Sequence, residues 1–413
     1  MSTGDRIGPL AGLVVLDLGR VLAAPWAGQI LGDLGADVIK VERPTTGDDA
    51  RSYGATSRTA DGAERPSTMF ACANRNKRSL TLDLAKPEGA MLLRRLGAKA
   101  DVLIENFLPG TMARFGLDYA SLAELNPRLV YCSVTGYGQN GPYRDRPGYD
   151  GVFQAESGLM EITGLPDDQP GGGPMKTGPS MIDVTMGFVS VIGILSALSH
   201  RDRVSGRGQH VDSALLDAAV VVQSSILQEY LFTGVQPERK GTEGNGGQPA
   251  RIFACRDRQV YISAGHQGHY EGLCKVLALP ELLDDPRFAT GRLRAANRKA
   301  WAAIAEPVIA RWKSEDLVRA LVAAKVPCTP VNDYQSLLED PHVRHRGATT
   351  QMVNPASTDD RLELISSPIR LSETPVTYRD PPPLLGQHSE VVLTGMLQLG
   401  PDEIDGLRRR QVI

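Results

Sequence analysis

Asp183 is the residue whose type and setting best suit chemistry in this 413-residue chain. It stands where a Gly- and Pro-rich stretch, residues 138–182, meets the apolar run VTMGFVSVIGILSALS. A carboxylate at a helix entrance accepts hydrogen bonds from orphan backbone N–H groups, a cap worth about 1 kcal/mol. The positive end of the helix favours the ionised form of that carboxylate. An ionised carboxylate beside Gly-rich loops is also a competent nucleophile toward an activated acyl group. Position alone leaves capping and catalysis as open alternatives.

The other chemical constellations are weaker. His266-x-x-His269 and His342-x-x-His345 are the close histidine pairs, and neither has the H-E-x-x-H context of a zinc site. They read as surface or structural histidines, and no metal is expected. Neither a G-x-S-x-G elbow nor a Walker A sequence is present. The turn DLGRVLAAPWAG lacks the G-x-G-x-x-G that brings a pyrophosphate to a helix N-terminus, so NAD and FAD are not expected. Cys72, Cys132, Cys255, Cys274 and Cys328 form no C-x-x-C pair, which suits reduced thiols in the cytoplasm.

Net charge is −3 with no long like-charge run, so nucleic acid is not an expected partner. MSTGDRIGPL has no basic-then-apolar signal, and apolar stretches such as 187–198 are short for a bilayer span. No membrane association is expected.

The elements that must position Asp183 can be read from periodicity. Leu13–Leu16 reads as a strand. Pro25 suits the first turn of a helix whose one face carries Trp26, Ile30, Leu31 and Leu34, and Gly35 closes it. Asp37–Glu42 alternates as the next strand. Strand, helix, strand in about 30 residues is a βαβ unit with parallel pairing. Strands over 79–84, 101–107 and 129–134 and a helix over 87–99 continue it. The alternation predicts an α/β fold with a Rossmann-like, doubly wound parallel sheet.

Residues 138–182 read as one long functional loop. Helices follow over 184–199 and 213–232, then a second Gly-rich stretch over 241–253, then a smaller α+β unit. The expected division is a large domain over 1–200, a linker helix over 201–232, a small domain over 233–330, and a C-terminal linker over 331–413 that returns to the large domain.

Ten segments, in order, resemble class III CoA-transferases: PLAGLVVLDLGRVLAAPWAGQILGDLGADVIKVERP, NRNKRSLTLDL, DVLIENFLPGTMARFGLDY, LVYCSVTGYGQNGPY, GYD, SMIDVTMG, SGRGQHVDSALLD, GGQP, PCTPV and PPPLLGQH. The resemblance runs from about residue 9 to the end. It implies that Asp183 is the catalytic carboxylate, acylated by an acyl-CoA donor to a mixed anhydride and then converted to an aspartyl-CoA thioester. It implies CoA contacts at Val21, Leu22, Ala23, Arg43, Leu82, Asn106, Phe107, Arg114 and Thr135. Gly244, Asn245, Gly246, Gly247 and Gln248 match the family's glycine loop. Coenzyme A is then a substrate, with no tightly bound cofactor, and the protein an interlocked homodimer.

Leu22, Thr135 and Met69 depart from the oxalate-specific pattern. The likeness is stronger to enzymes that use succinyl-CoA with small dicarboxylic acids. An α-methylacyl-CoA racemase is the rival within the same fold. Such enzymes place a His where this chain has Tyr149, a poor base at neutral pH. A non-catalytic CoA-binding protein is the rival of another class.

Overall fold

The structure, a computed structural model, describes residues 7–413, so the expectation drawn from the first six residues lies outside it. The chain divides into two compact units. The larger comprises the chain up to Ser157, then Thr177–Ser224 and Arg346–Ile413. The smaller comprises Gly158–Lys176 and Ser225–His345.

In chain order the elements that frame the site are β1 (Val14–Asp17), α1 (Ala23–Asp33), β2 (Asp37–Glu42), α2 (Thr68–Ala73), β3 (Lys77–Thr81) and α3 (Pro87–Gly97). There follow β4 (Val102–Glu105), α4 (Tyr119–Leu125), β5 (Val130–Thr135), α5 (Asp150–Glu156), α6 (Leu159–Ile162) and α7 (Met181–His200). Then come β6 (His210–Ala214), α8 (Leu215–Val221) and α9 (Ser224–Thr233).

The larger unit carries a six-stranded sheet in the order β3-β2-β1-β4-β5-β6, with every pairing parallel. This is the doubly wound arrangement expected from the βαβ alternation. One expectation changes: β2 is buried at all six positions, rather than on alternate faces. Both faces of a parallel sheet are covered, so its polar residues need partners inside. Lys40 meets Asp48 at 2.8 Å, and Glu42 meets Arg51 at 2.7 Å.

The same effect displaces β3. It begins at Lys77 rather than Ser79, because two residues that look like surface charges are paired in the interior. Lys77 meets Asp17 at 2.7 Å, and the Arg78 guanidinium meets the Asp37 carboxylate at 3.0 Å. The core over this sheet joins Leu16, Ile39, Leu80, Leu93 and Leu103 to Val392, Leu393 and Ile404 near the C-terminus. Each fully buried side chain of this kind contributes about 1.5–3 kcal/mol.

α7 buries Ile182, Met186, Gly187, Ser190, Val191 and Ile194 along one side. It packs on α1, β5 and β6. Gly187 permits the approach of α1, since a Cβ there would lie 2.6 Å from Trp26 Cδ1. An 18-residue stretch of this helix has a mean hydropathy of 2.0, long and apolar enough to cross a membrane by length and composition, contrary to the expectation of no such stretch. Its packed face is that of a core helix.

Three further expectations are corrected. Residues 138–182 are not one irregular loop, since α5 and α6 lie within them. The linker helix expected over 201–232 contains β6, and the helix expected over 213–232 is two, α8 and α9. The β-branched run Val220–Val222 weakens helix there, and buried Gln223 turns its amide back to Ala219 O and Ser157 O. The domain bounds also shift, since 158–176 and 331–345 belong to the smaller unit.

The smaller unit has an antiparallel sheet β7 (Ala250–Ala254), β8 (Gln259–Ser263) and β9 (Cys328–Pro330), in that order. Phe253, Ile262, Tyr270, Leu273, Trp301 and Leu317 form its core. A hairpin of β10 (Thr349–Asn354) and β11 (Ser357–Ile365) belongs to the larger unit.

Candidate active site

Asp183 lies inside the first turn of α7, two residues after its start at Met181. It is therefore not the cap that its position in the sequence suggested. Ser180 holds the N-cap position and makes no side-chain cap bond. The missing acceptor comes from α5: Asp150 Oδ2 accepts the N–H groups of Ile182 at 2.8 Å and Asp183 at 3.2 Å. Gln154 steadies Asp150 by donating to its Oδ1 at 2.6 Å. With another carboxylate doing the capping, the Asp183 oxygens are left for chemistry.

The environment of Asp183 works against its charge. Burial first, and then the charge of Asp150, push its carboxyl up to about 7. The helix dipole pulls the other way. A carboxyl poised near neutrality is still partly ionised at physiological pH, and a desolvated carboxylate is a stronger nucleophile than a hydrated one.

The turn between β1 and α1 faces the same cavity. Its backbone is held almost atom by atom. Asp17 Oδ1 accepts from Gly19 N at 2.9 Å, and Asp48 Oδ1 from Val21 N at 3.0 Å. Asn106 bonds both sides of Arg20, accepting from its N at 2.9 Å and donating to its O at 2.8 Å. Lys40 donates to Gly19 O at 2.8 Å. Val21 sits at φ 68°, a left-handed conformation costly for a β-branched residue. Burial opposes the Lys40 charge, but Asp48, Asp17 and Glu42 outweigh it and raise the ammonium above its ordinary range. Lys77, where burial outweighs Asp17, is lowered to about 8.

A cavity of about 280 Å³ opens over Asp183 and is lined by Val21, Leu22, Ala23, Asn106, Phe107 and Thr135 of the expected set. An adjoining cavity of about 250 Å³ shares Arg20 and Phe107 with it and takes in Arg43, Leu82 and Phe115. Two expected contacts fit less well. Arg114 lines neither cavity and donates to Thr111 Oγ1 at 3.2 Å. The Asn106 amide is consumed by the Arg20 backbone, so it positions the turn. Met69 lies in α2 and lines neither cavity.

Four residues that sequence reading did not single out stand here. Arg144 and Arg146 line the Asp183 cavity. Asp150 had been read only as part of GYD, although its spacing of four from Gln154 is a helical pairing signal. Glu105 ends β4, and its carboxyl is pushed up to about 7 by burial while Phe107 N–H donates to it at 2.8 Å.

The glycine segment belongs to the smaller unit. Gly244, Gly246 and Gly247 line a cavity there with Tyr261, Ser263, His266 and His269. It is anchored: Gln248 Nε2 donates to Gly244 O at 3.0 Å, and Arg294 Nε donates to Gln248 O at 2.9 Å. Gly247 and Gly265 meet backbone to backbone, where a Cβ on Gly265 would lie 2.3 Å from Gly247 O.

Comparison with known proteins places the chain in a family. The model of "CoA-transferase family III" matches residues 10–389. The chain is 42% identical to the succinate–glutarate CoA-transferase of Agrobacterium fabrum, over 94% of this chain and 96% of that one. It is 36% identical to the succinyl-CoA:glutarate CoA-transferase of Homo sapiens, over 96% of this chain and 88% of that one. A crystal structure of a CAIB/BAIF family protein from Brucella suis superposes with a TM-score of 0.83 at 40% identity, covering 95% of this chain and 100% of that one.

Proposed function

Because this chain belongs to CoA-transferase family III, we propose that it moves coenzyme A from succinyl-CoA to a small dicarboxylic acid by way of acylated Asp183. The observation that carries this reading is a carboxyl in the first turn of α7, relieved of capping by Asp150, facing a cavity. The names of the relatives, which use succinyl-CoA with glutarate or mesaconate, support the choice of acids.

The steps balance without another reactant. An Asp183 oxygen attacks the thioester carbonyl, the C–S bond breaks, and CoA leaves as thiolate from a mixed anhydride. The thiolate attacks the Asp183 carbonyl and expels succinate, leaving an aspartyl-CoA thioester. The acceptor carboxylate attacks that thioester, and the released thiolate attacks the acceptor carbonyl of the new anhydride. Asp183 is restored. One thioester is broken and one is made, so ATP is not consumed, and the covalent route divides one difficult exchange into easier ones.

The nucleotide end of CoA is assigned to the cavity of Arg43, Leu82, Phe107 and Phe115. An aromatic and aliphatic wall suits adenine, and guanidinium groups suit phosphates. CoA enters as substrate. The protein is further proposed to be a homodimer, in keeping with the exposed Val189 and Ile192 on α7 and Leu231 and Phe232 on α9. Its five free thiols suit the cytoplasm.

The test is to trap the intermediate. Succinyl-CoA is mixed with the protein, the reaction is quenched with hydroxylamine or borohydride, and peptides are read by mass spectrometry. The modification is expected on Asp183 alone. Asp183→Ala is expected to bind CoA and to lose roughly 10³-fold or more in turnover. Near-normal turnover by that variant would end the proposal.

A further inference from the structure

The cavity over Asp183 is lined by three arginines, Arg20, Arg144 and Arg146. Two are already engaged. Arg20 lies 3.7 Å from Asp49, with its guanidinium 4.8 Å from the Phe107 ring centroid. Arg144 meets the adjacent Asp145 at 3.3 Å. Arg146 differs. Its guanidinium carbon sits 3.5 Å from the Tyr143 ring centroid. Its backbone N–H donates to Tyr143 O at 2.9 Å, so stack and turn hold it together. Among the described residues no carboxylate pairs with it, since Asp145 faces Arg144 and Asp150 is spent on α7 and Gln154.

A guanidinium stacked on a ring has surrendered part of its rotamer freedom in advance, while its N–H edge stays open. That edge matches the two oxygens of one carboxylate. The ligand class follows from which cavity this is. The adjoining cavity offers Arg43 and an apolar wall to a nucleotide, and it shares Arg20 with this one. The acyl group, by contrast, has to reach Asp183. A cation on the Asp183 side therefore faces the acid portion of the substrate.

We infer that Arg146 reads the second carboxylate of a dicarboxylic substrate while the first reacts at Asp183. This rests on the transferase reading above and deepens it. A monocarboxylic acid of equal length leaves the guanidinium without its partner and forgoes a charge-assisted hydrogen-bonded pair.

The experiment compares glutarate with pentanoate, which has the same chain length and one carboxylate fewer, at one saturating concentration of succinyl-CoA. The donor is common to both, so the ratio of the two kcat/KM values isolates the acceptor. The wild-type protein is expected to favour glutarate. Arg146→Met is expected to cut the ratio by about 10- to 100-fold, chiefly through the KM for glutarate. Arg146→Lys keeps the charge without the fork and is expected to fall between the two. Arg146→Glu is expected to lose glutarate and gain 5-aminopentanoate, whose ammonium complements the reversed charge. A purely structural role for Arg146 predicts no such gain. A ratio unmoved by Arg146→Met, or no gain of the amino acid by Arg146→Glu, overturns the assignment and leaves the transferase reading intact. A wild-type protein that transfers CoA neither to glutarate nor to any other small dicarboxylic acid takes both down.

Discussion

Two segments border the Asp183 cavity, and they are built in opposite ways. In the turn between β1 and α1, Gly19, Arg20 and Val21 have their backbone groups bonded by Asp17, Asp48, Asn106 and Lys40, and Val21 is held in a strained left-handed conformation. In the segment 140–147 every residue is exposed, as is Tyr149 at 66%, and Arg146 is steadied mainly by Tyr143. The first needs a buried ion network to exist at all. The second needs little from its surroundings and can change without disturbing the sheet. A fixed wall suits the part of the substrate that never varies, coenzyme A. A surface segment suits the part that differs between relatives, the acid.

The sharpest way to break this contrast is Asp48→Ala. It strips Lys40 of its 2.8 Å counter-ion and Val21 N–H of its acceptor. Removing one partner of a buried pair costs about 3–5 kcal/mol. Chemical denaturation of the intact protein is expected to show a loss of that size, with weaker CoA binding. A loss under about 1 kcal/mol would mean that the turn is held by something else.

Asp150→Asn comes next. It weakens the acceptor for Ile182 N–H and Asp183 N–H, for an expected loss of about 1–2 kcal/mol. It also removes the like charge that helps to raise Asp183. The reactive form of Asp183 is the carboxylate, so in the wild-type protein the single-turnover rate is expected to rise with pH through about 7. In Asp150→Asn that rise is expected at lower pH. A profile that stays in place would show that burial alone sets the Asp183 carboxyl.

Tyr143→Leu probes the exposed segment by removing the ring beneath Arg146. Exposed substitutions usually change stability by less than about 0.5 kcal/mol. The KM for a dicarboxylic acid is expected to rise about three- to tenfold, with the KM for CoA unchanged. If both constants rise together, the segment serves coenzyme A as well and the division of labour fails.

The same contrast separates what could be read from the sequence from what could not. The parallel sheet was legible because βαβ alternation is local: the apolar run Leu13–Leu16 and the strand Asp37–Glu42 flank one amphipathic helix within about 30 residues. Asp183 was legible as a residue at a helix entrance, though its role there was not. The cap at α7 comes from Asp150, 33 residues away, and no local period announces a partner across that distance. The start of β3 was misplaced because Lys77 and Arg78 look like surface residues until Asp17 and Asp37 are seen beside them. Arg146 stood unnoticed in YRDRPGYD because stacking on Tyr143 and sharing a cavity with Asp183 are facts of tertiary structure.

A last expectation tests whether Asp183 sits in a place chosen for reactivity at the expense of stability. Its carboxyl titrates near 7 in the folded protein, against about 3.9 in an unfolded chain. The folded state therefore holds the proton more tightly than the unfolded state. Below about pH 4 both states are protonated and the site is neutral in its effect. As pH rises from about 4 to 7 the unfolded chain ionises first, stability is progressively lost, and above about 7 the loss is complete. Asp183→Asn keeps the shape and removes the titration. It is expected to raise stability by on the order of 1 kcal/mol at pH 8, the half-buried site being partly screened, and by little near pH 4. Thermal midpoints of the two proteins across that pH range decide the matter. Curves that run parallel would show that the carboxylate is well solvated, and a solvated Asp183 would be a weaker nucleophile than this site requires.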